Sequence, residues 1–206
     1  VAFDRDAQGR IIVDADGNPT KKDGYFNLGN ANPNFMAGLN NEITIKGVNV
    51  RFLIDGRFGG KVMSITQSML DLFGVSQESA DARDAGGVTI NAATKDGVAV
   101  TKMDAKKYYS AVGGRNGITE AYMYDATNIR LRELSVGYTL PKSIISGKGT
   151  IKNVKVNLIG RNLFFFTKKA PFDPDLTFST GVGLQGVDVF SIPTTRSLGV
   201  SLSVDL

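Results

Sequence analysis

From Leu198 to Leu206 every second residue is apolar: Leu198, Val200, Leu202, Val204 and Leu206 alternate with Gly199, Ser201, Ser203 and Asp205. Successive side chains of a strand point to opposite faces, so this run reads as a strand with one apolar and one polar side. The pattern recurs upstream. Val48, Val50, Phe52 and Ile54 share one parity against Asn49, Arg51 and Asp55, with Leu53 out of step. Val154, Val156, Leu158 and Gly160 oppose Asn153, Lys155, Asn157 and Arg161, with Ile159 out of step. Leu134, Val136, Tyr138 and Leu140 form one more apolar parity, which upstream is held by Arg130 and Arg132 in place of Ile129 and Leu131. A bulge near Arg132-Glu133 is the expected cause. Leu39 to Lys46 precedes the Val48 strand across a tight Lys46-Gly47 junction.

The connections between these five strands alternate in length: about two residues, about sixty, about ten, about 25. Short turns on one rim and long loops on the other are the pattern of outer-membrane barrels, whose strands tilt by roughly 35–45° across an apolar band about 25 Å tall. About ten residues at roughly 3.3 Å each, so tilted, span that height. The expected fold is therefore all-β: an antiparallel transmembrane β-barrel segment of about five strands, completed by others because about eight is the smallest membrane barrel. Residues 1–33 are expected as an extracellular loop region and 34–206 as barrel strands. Large outer loops fall at 60–122 and 168–192, and short periplasmic turns at 46–48 and 141–150. Val48, Val50, Phe52, Ile54, Val154, Val156, Leu158, Leu198, Val200, Leu202 and Val204 then face lipid. Asn49, Arg51, Lys155, Asn157 and Arg161 face the lumen, hydrating a wide pore. Phe164, Phe165 and Phe166 are expected at the outer aromatic girdle and Tyr138 at the inner one. The same alternation would also bury the dry core of a secreted or surface β-sandwich that serves as a binding module or adhesin.

Composition removes other classes. Among 206 residues there is no Cys and no His, which excludes disulfides, thiolate or imidazole metal sites and His-dependent triads. The net charge of +4 comes from scattered basic residues, in pairs at most, so no nucleic-acid partner is expected. The longest apolar stretches are only four residues, as in Leu163-Phe164-Phe165-Phe166, against the roughly 20 that a membrane helix needs. Val1-Ala2-Phe3 carries no initiating Met and no signal-peptide pattern, which reads as a mature or trimmed chain.

The long excursions carry local structure. Ser64-Ile65-Thr66-Gln67 reads as a capping box opening a short helix that ends at Gly74, with Ile65, Met69, Leu72 and Phe73 as its packed stripe. Val88 to Ile90 and Val98 to Thr101 flank an Asp96-Gly97 hairpin turn, and Asp104 caps a second helix reaching Val112 before Gly113-Gly114. Asp14, Asp16 and Asn18 have the spacing that opens a calcium loop, but Pro19 and Tyr25 stand where that loop needs Gly and Glu, so a plain turn is expected. Asp173 and Asp175 flank Pro174 as a turn opener, and Gly181-Val182-Gly183 is a loop fragment without a dinucleotide context. No catalytic, cofactor or metal constellation is expected.

One set of motifs is more specific. The run from Tyr124 to Pro141, YDATNIRLRELSVGYTLP, resembles a signature of SusC/RagA-like, TonB-dependent outer-membrane transporters. Gly160-Arg161-Asn162-Leu163 with Phe166-Thr167-Lys168, then Phe172-Asp173-Pro174-Asp175, then Gly186-Val187-Asp188 and Ile192-Pro193 onward, resemble that family's later blocks in order. Leu28-Gly29-Asn30, Asn32-Pro33 and Gly38-Leu39-Asn40-Asn41 are similar to an earlier one. Family members usually end on an aromatic residue, where this chain has Leu206. The resemblance implies the C-terminal part of a transporter in the cell outer membrane that imports a large nutrient, an oligosaccharide or a peptide. It implies as partners the rest of the barrel and its plug, a SusD-like surface lipoprotein over the outer loops, TonB acting through a missing N-terminal part, and outer-membrane lipid. No enzyme activity is implied.

Overall fold

The computed structural model describes residues 1–145, 150–176, 178 and 181–206, with the Val182 side chain left aside. Ser146-Gly147-Lys148-Gly149 of the expected turn at 141–150, and Thr177, Ser179 and Thr180 of the expected loop at 168–192, lie outside the described residues.

In chain order the elements are β1 (Ile11–Val13), β2 (Phe35–Ile45), β3 (Val48–Phe58), β4 (Lys61–Ser64), α1 (Ile65–Leu72), α2 (Gln77–Asp84), β5 (Val88–Thr94), β6 (Ala99–Met103), α3 (Ala105–Val112), β7 (Met123–Asp125), β8 (Asn128–Thr139), α4 (Lys142–Ile145), β9 (Asn153–Lys168), β10 (Val187–Asp188) and β11 (Ser197–Asp205). The chain divides into two compact units. The first holds 1–31, 61–124 and 176–192; the second holds 32–60, 125–175 and 193–206.

The second unit is built on one antiparallel sheet in the order β11-β9-β8-β3-β2. β2 and β3 are joined by Lys46-Gly47, both at positive φ (46° and 85°), the two-residue turn whose twist matches a hairpin. The pairing of β8 slips by one residue at Arg132 against both neighbours, where the sequence places a bulge. All eleven residues of β2 are exposed, so the sheet is open at that edge. Gly137 leaves room for its neighbour on β9: a Cβ there would come within 2.2 Å of Asn157 Oδ1 and displace the Asn157 amide.

The first unit has its own core, formed by Phe3, Ile11, Val13, Ala92, Met103, Ala105, Tyr109, Val112, Ile118 and Tyr122. The first residues, expected as loop, therefore contribute buried side chains: Val13 is 2% exposed. Around this core stand the sheets β1-β5-β6 and β10-β4-β7 and the helices α1 to α3. The caps follow the sequence. Ser64 Oγ accepts from Gln67 N at 3.0 Å and donates to Asp188 Oδ2 at 2.7 Å, and Asp104 accepts from Lys107 N at 2.9 Å.

The packed face of α1 differs from the expected stripe. Its buried residues are Ser68 and Asp71, whereas Ile65, Met69 and Leu72 are half-buried and Phe73 is 69% exposed. The cause is a polar junction. Asp71 accepts from Gln67 Nε2 at 2.9 Å and from the Ser76 hydroxyl, which itself accepts from Ser79 N as the N-cap of α2. Ser68 Oγ reaches the Gly114 carbonyl beyond α3. Hydrogen bonds, rather than apolar periodicity, decide which side of this short helix is covered. Among the described residues no helix is long and apolar enough to cross a membrane.

Candidate functional site

The register of the five-stranded sheet carries the alternation from strand to strand. Val48, Val50, Phe52 and Ile54 of β3 lie opposite Tyr138, Val136, Leu134 and Leu131 of β8. Tyr138, Val136 and Leu134 in turn oppose Val156, Leu158 and Gly160 of β9. Leu158, Val156 and Val154 meet Val200, Leu202 and Val204 of β11, with Leu198 beside Gly160. β2 extends the same face with Ile45, Ile43, Leu39 and Phe35, interrupted by Asn41 alone. All eleven residues expected to face lipid fall on this one face.

Among the described residues most of it is exposed, although Leu131 is buried and Val50, Phe52, Ile54 and Leu134 are half-buried. Leu198, Val200 and Leu202 are 83%, 73% and 65% exposed, and Leu158 is 59% exposed. Monomers in water rarely leave contiguous apolar patches beyond a few hundred Å². A hollow of about 480 Å³ lies on the sheet between Leu134, Val136, Leu158, Leu163, Leu198 and Val200, and Leu163 fills the place that a Gly160 side chain would take.

The opposite face gathers the polar residues. Asn49 faces Gly137, Arg51 faces Ser135, Lys155 faces Thr139, Asn157 faces Gly137 and Arg161 faces Glu133. Two of these five have protein partners already. Asn49 is buried and donates to Glu42 Oε1 at 2.7 Å and Thr44 Oγ1 at 2.8 Å, and Arg161 pairs with Glu133 at 3.1 Å. Both out-of-step residues, Leu53 and Ile159, lie on this polar face, half-buried.

The triple-Phe expectation needs correction. Phe164 and Phe166 touch edge to face at 5.0 Å and are about half exposed. Phe165 pairs with Arg130 in the ladder and lies under its guanidinium, 4.6 Å from ring centroid to Cζ. A strand sends neighbours to opposite faces, so three consecutive residues cannot join one girdle. Tyr138 is on the apolar face, 44% exposed.

Arg130 is the residue that sequence reasoning missed. Its side chain is 1% exposed, yet it lies in a strand read as half apolar. It pairs with Asp173 at 3.7 Å and with Asp175, and donates to Thr194 Oγ1 at 2.9 Å. Arg132 joins Asp175 at 3.2 Å to Asp55, donating to it from Nε at 3.0 Å. The Thr194 hydroxyl also donates to Asp173. The extra residue at Arg132 lets Arg130, Arg132 and Glu133 all turn to the polar face, which is what a bulge does for a side chain. Asp173-Pro174-Asp175 does form the expected turn, closed by Asp175 N on Asp173 Oδ1 at 3.0 Å. Its carboxylates, however, tie two loop segments down to the sheet. The available signal was the parity slip at Arg130 and Arg132, which marked two cations in an apolar register.

Elsewhere the acidic motifs serve turns. Asp14 Oδ1 accepts from Asp16 N at 3.0 Å and Asn18 N at 2.8 Å. The backbone hydrogen bond from Asn18 is the largest cause holding its carboxyl below the usual range. Asp125 is lowered to about 2, first by the Thr127 hydroxyl and then by the Thr127 N–H, with Lys169 adding its charge at 3.0 Å. In the first unit burial raises the hydroxyls of Tyr109 and Tyr122, and Asp71 raises them further. Among the described residues no three acidic side chains converge as a metal cage.

The sheet thus presents one largely apolar face and one charge-paired polar face. TonB-dependent receptor P3 of Formosa agariphila is 28% identical over 211 residues, covering 98% of this chain and 19% of that receptor. TonB-dependent receptor P39 of the same organism is 23% identical over 185 residues, 86% of this chain and 17% of that receptor. Among solved structures, the RagAB peptide importer in its closed-closed state matches with a TM-score of 0.58 at 20% identity, over 92% of this chain and 20% of the matched one. Its open-open state matches at 0.56, also 20% identical, over 84% and 17%. No protein-family model matches. This chain is therefore similar to one stretch of TonB-dependent receptors and shares the fold of part of the RagAB importer, and it spans about a fifth of the length of the curated relatives it matches. These relatives are receptors and importers, not enzymes.

Proposed function

We propose that this chain is one stretch of the outer-membrane barrel of a TonB-dependent transporter that imports a large nutrient, an oligosaccharide or a peptide, with a SusD-like surface lipoprotein. The observation that carries this reading is the uncovered apolar face running across all five strands, from Ile43 and Val50 through Val136 and Leu158 to Val200. Lipid is the environment in which such a face costs nothing. The polar face then lines the lumen, where Arg51, Lys155 and Asn157 meet water, plug or cargo. On this reading residues 1–33 and the long connections at 60–122 and 168–192 face outward, and the short connections at 46–48 and 141–150 face the periplasm. A RagAB peptide importer among the fold relatives supports peptide as one cargo class.

The test is a pair of neighbours on β11. In the full-length protein Leu202→Arg puts a cation toward lipid and should cost about 2–4 kcal/mol near the midplane, abolishing the heat-modifiable folded band in outer-membrane fractions. Ser201→Arg, toward the lumen, should assemble normally. Equal tolerance of both substitutions, or recovery of the protein as a detergent-free monomer, would replace this reading with that of a β-sandwich module.

A further inference from the structure

The first unit carries an open groove of about 1080 Å³ between the Asn18–Lys21 segment, Leu72 of α1 and the stretch from Asp104 through α3 to Asn116. Four of its lining residues are cations: Lys21, Lys106, Lys107 and Arg115. Two are held in place by carbonyls, Lys21 donating to Asn116 O and Lys107 to Asp16 O at 3.2 Å. Each retains further ammonium donors. Lys106 and Arg115 have no ion-pair partner among the described residues. The single carboxylate in the lining, Asp104, is engaged in capping α3.

This positive charge is local. The unit as a whole contains 11 Lys and Arg against 13 Asp and Glu, yet the groove collects four cations around one committed carboxylate. The rest of the lining is Asn18, Pro19, Ser110, Ala111, Asn116 and Gly113-Gly114, with Leu72 and no aromatic ring. Sugars and unpaired bases are held on aromatic platforms. Carboxylates instead need cations and amide donors, with Arg offering a two-pronged contact. The volume slightly exceeds that of a drug-sized pocket, enough for several residues of extended chain.

We propose that this groove binds an acidic oligopeptide, its carboxylates paired with Lys106, Arg115, Lys21 and Lys107. The groove lies within a single unit, so the proposal does not depend on where the sheet resides. The probe is fluorescein-labelled hexaglutamate, followed by anisotropy against the detergent-solubilised full-length protein. Saturable binding is expected at about 50 mM salt and strong weakening at about 500 mM, as screening requires. The double variant Lys106→Glu/Arg115→Glu should weaken binding by about tenfold or more, while Lys95→Glu, on the hairpin turn outside the groove, should leave it unchanged. The neutral pair Lys106→Gln/Arg115→Gln, with an unaltered circular dichroism spectrum, should give an intermediate loss and so separates charge from misfolding. No saturable binding, an equal loss from Lys95→Glu, or tighter binding of dextran sulfate or single-stranded DNA than of the peptide would overturn the proposal.

Discussion

The two units differ in where their large apolar side chains lie. In the first, Val13, Val62, Val112 and Ile118 are at most 2% exposed and pack with tyrosines and alanines as any water-exposed domain would require. In the second, Leu198, Val200 and Leu202 are mostly exposed, while the largest fully buried side chain is Arg130. The first unit withdraws its apolar groups from water by itself. The second leaves them exposed on one face of its sheet and pairs its charges on the other, as the proposed barrel wall requires.

The largest effect should come from breaking that pairing. Arg130→Met removes the cation between Asp173 and Asp175 and leaves two carboxylates at a site that is nearly closed to solvent. Stranding a buried partner costs about 3–5 kcal/mol. Urea unfolding in phospholipid vesicles should show a loss of that size. A double variant, Arg130→Met with Asp173→Asn, should recover part of it, because fewer unpaired charges remain. A loss under about 1 kcal/mol would mean that the cluster is solvated and the inversion between units is weaker than drawn.

In the first unit the matching experiment deletes apolar volume. Ile118 is 0% exposed within the core, and Ile118→Ala should cost about 2–5 kcal/mol. Hydrogen exchange should speed in β5, β6 and α3 while the amides of β8 and β9 keep their protection. Loss of protection in both places would mean that the two regions unfold as one.

A smaller effect is expected at Ser64, whose hydroxyl both caps α1 and donates to Asp188. Ser64→Ala should cost about 1 kcal/mol by loss of the cap, with some addition from the buried Asp188 carboxylate left short of a donor. Ser64→Asp would keep a cap acceptor but face Asp188 with a like charge, so it should be worse than alanine. If it is better, the cap outweighs the Asp188 contact.

How much of this was legible follows from how local each cause is. Period-two alternation is set by the geometry of a single strand, so β3, β8, β9 and β11, the hairpin turn at Lys46-Gly47 and the slip at Arg132 could be read directly. The caps at Ser64 and Asp104 were legible for the same reason. The Tyr124 to Pro141 signature placed the chain among transporters more specifically than any periodicity could. What failed was non-local. The burial of Asp71 depends on Ser76 arriving from α2, and the role of Asp173 and Asp175 depends on two arginines more than forty positions away in sequence. The segment 1–31 looked like loop because its strand is three residues long and its core partners come from 88–122. Nor did the scattered basic residues announce a groove. Lys21 and Arg115 meet only because the chain folds back on itself.

The smallest expected effect is in pH dependence, and its sign is fixed by Asp125. The Thr127 hydroxyl and N–H, with Lys169, hold this carboxylate as the anion down to about 2 in the folded sheet unit, against an ordinary value near 3.8. A depressed folded value means that the unfolded chain takes up the proton first as the pH falls. The stabilisation is therefore fully present above about pH 4 and is lost progressively as the pH drops through about 2. Asp125 is partly open to solvent, so screening reduces the effect and it should appear as a shallow slope confined to that window. Asp125→Asn should flatten the slope between pH 4 and 2 without changing it above pH 5. A slope that persists in the variant would assign the acid sensitivity to other lowered carboxylates, such as Asp14 and Glu120 of the first unit, where hydrogen bonds again favour the anion against the cost of burial.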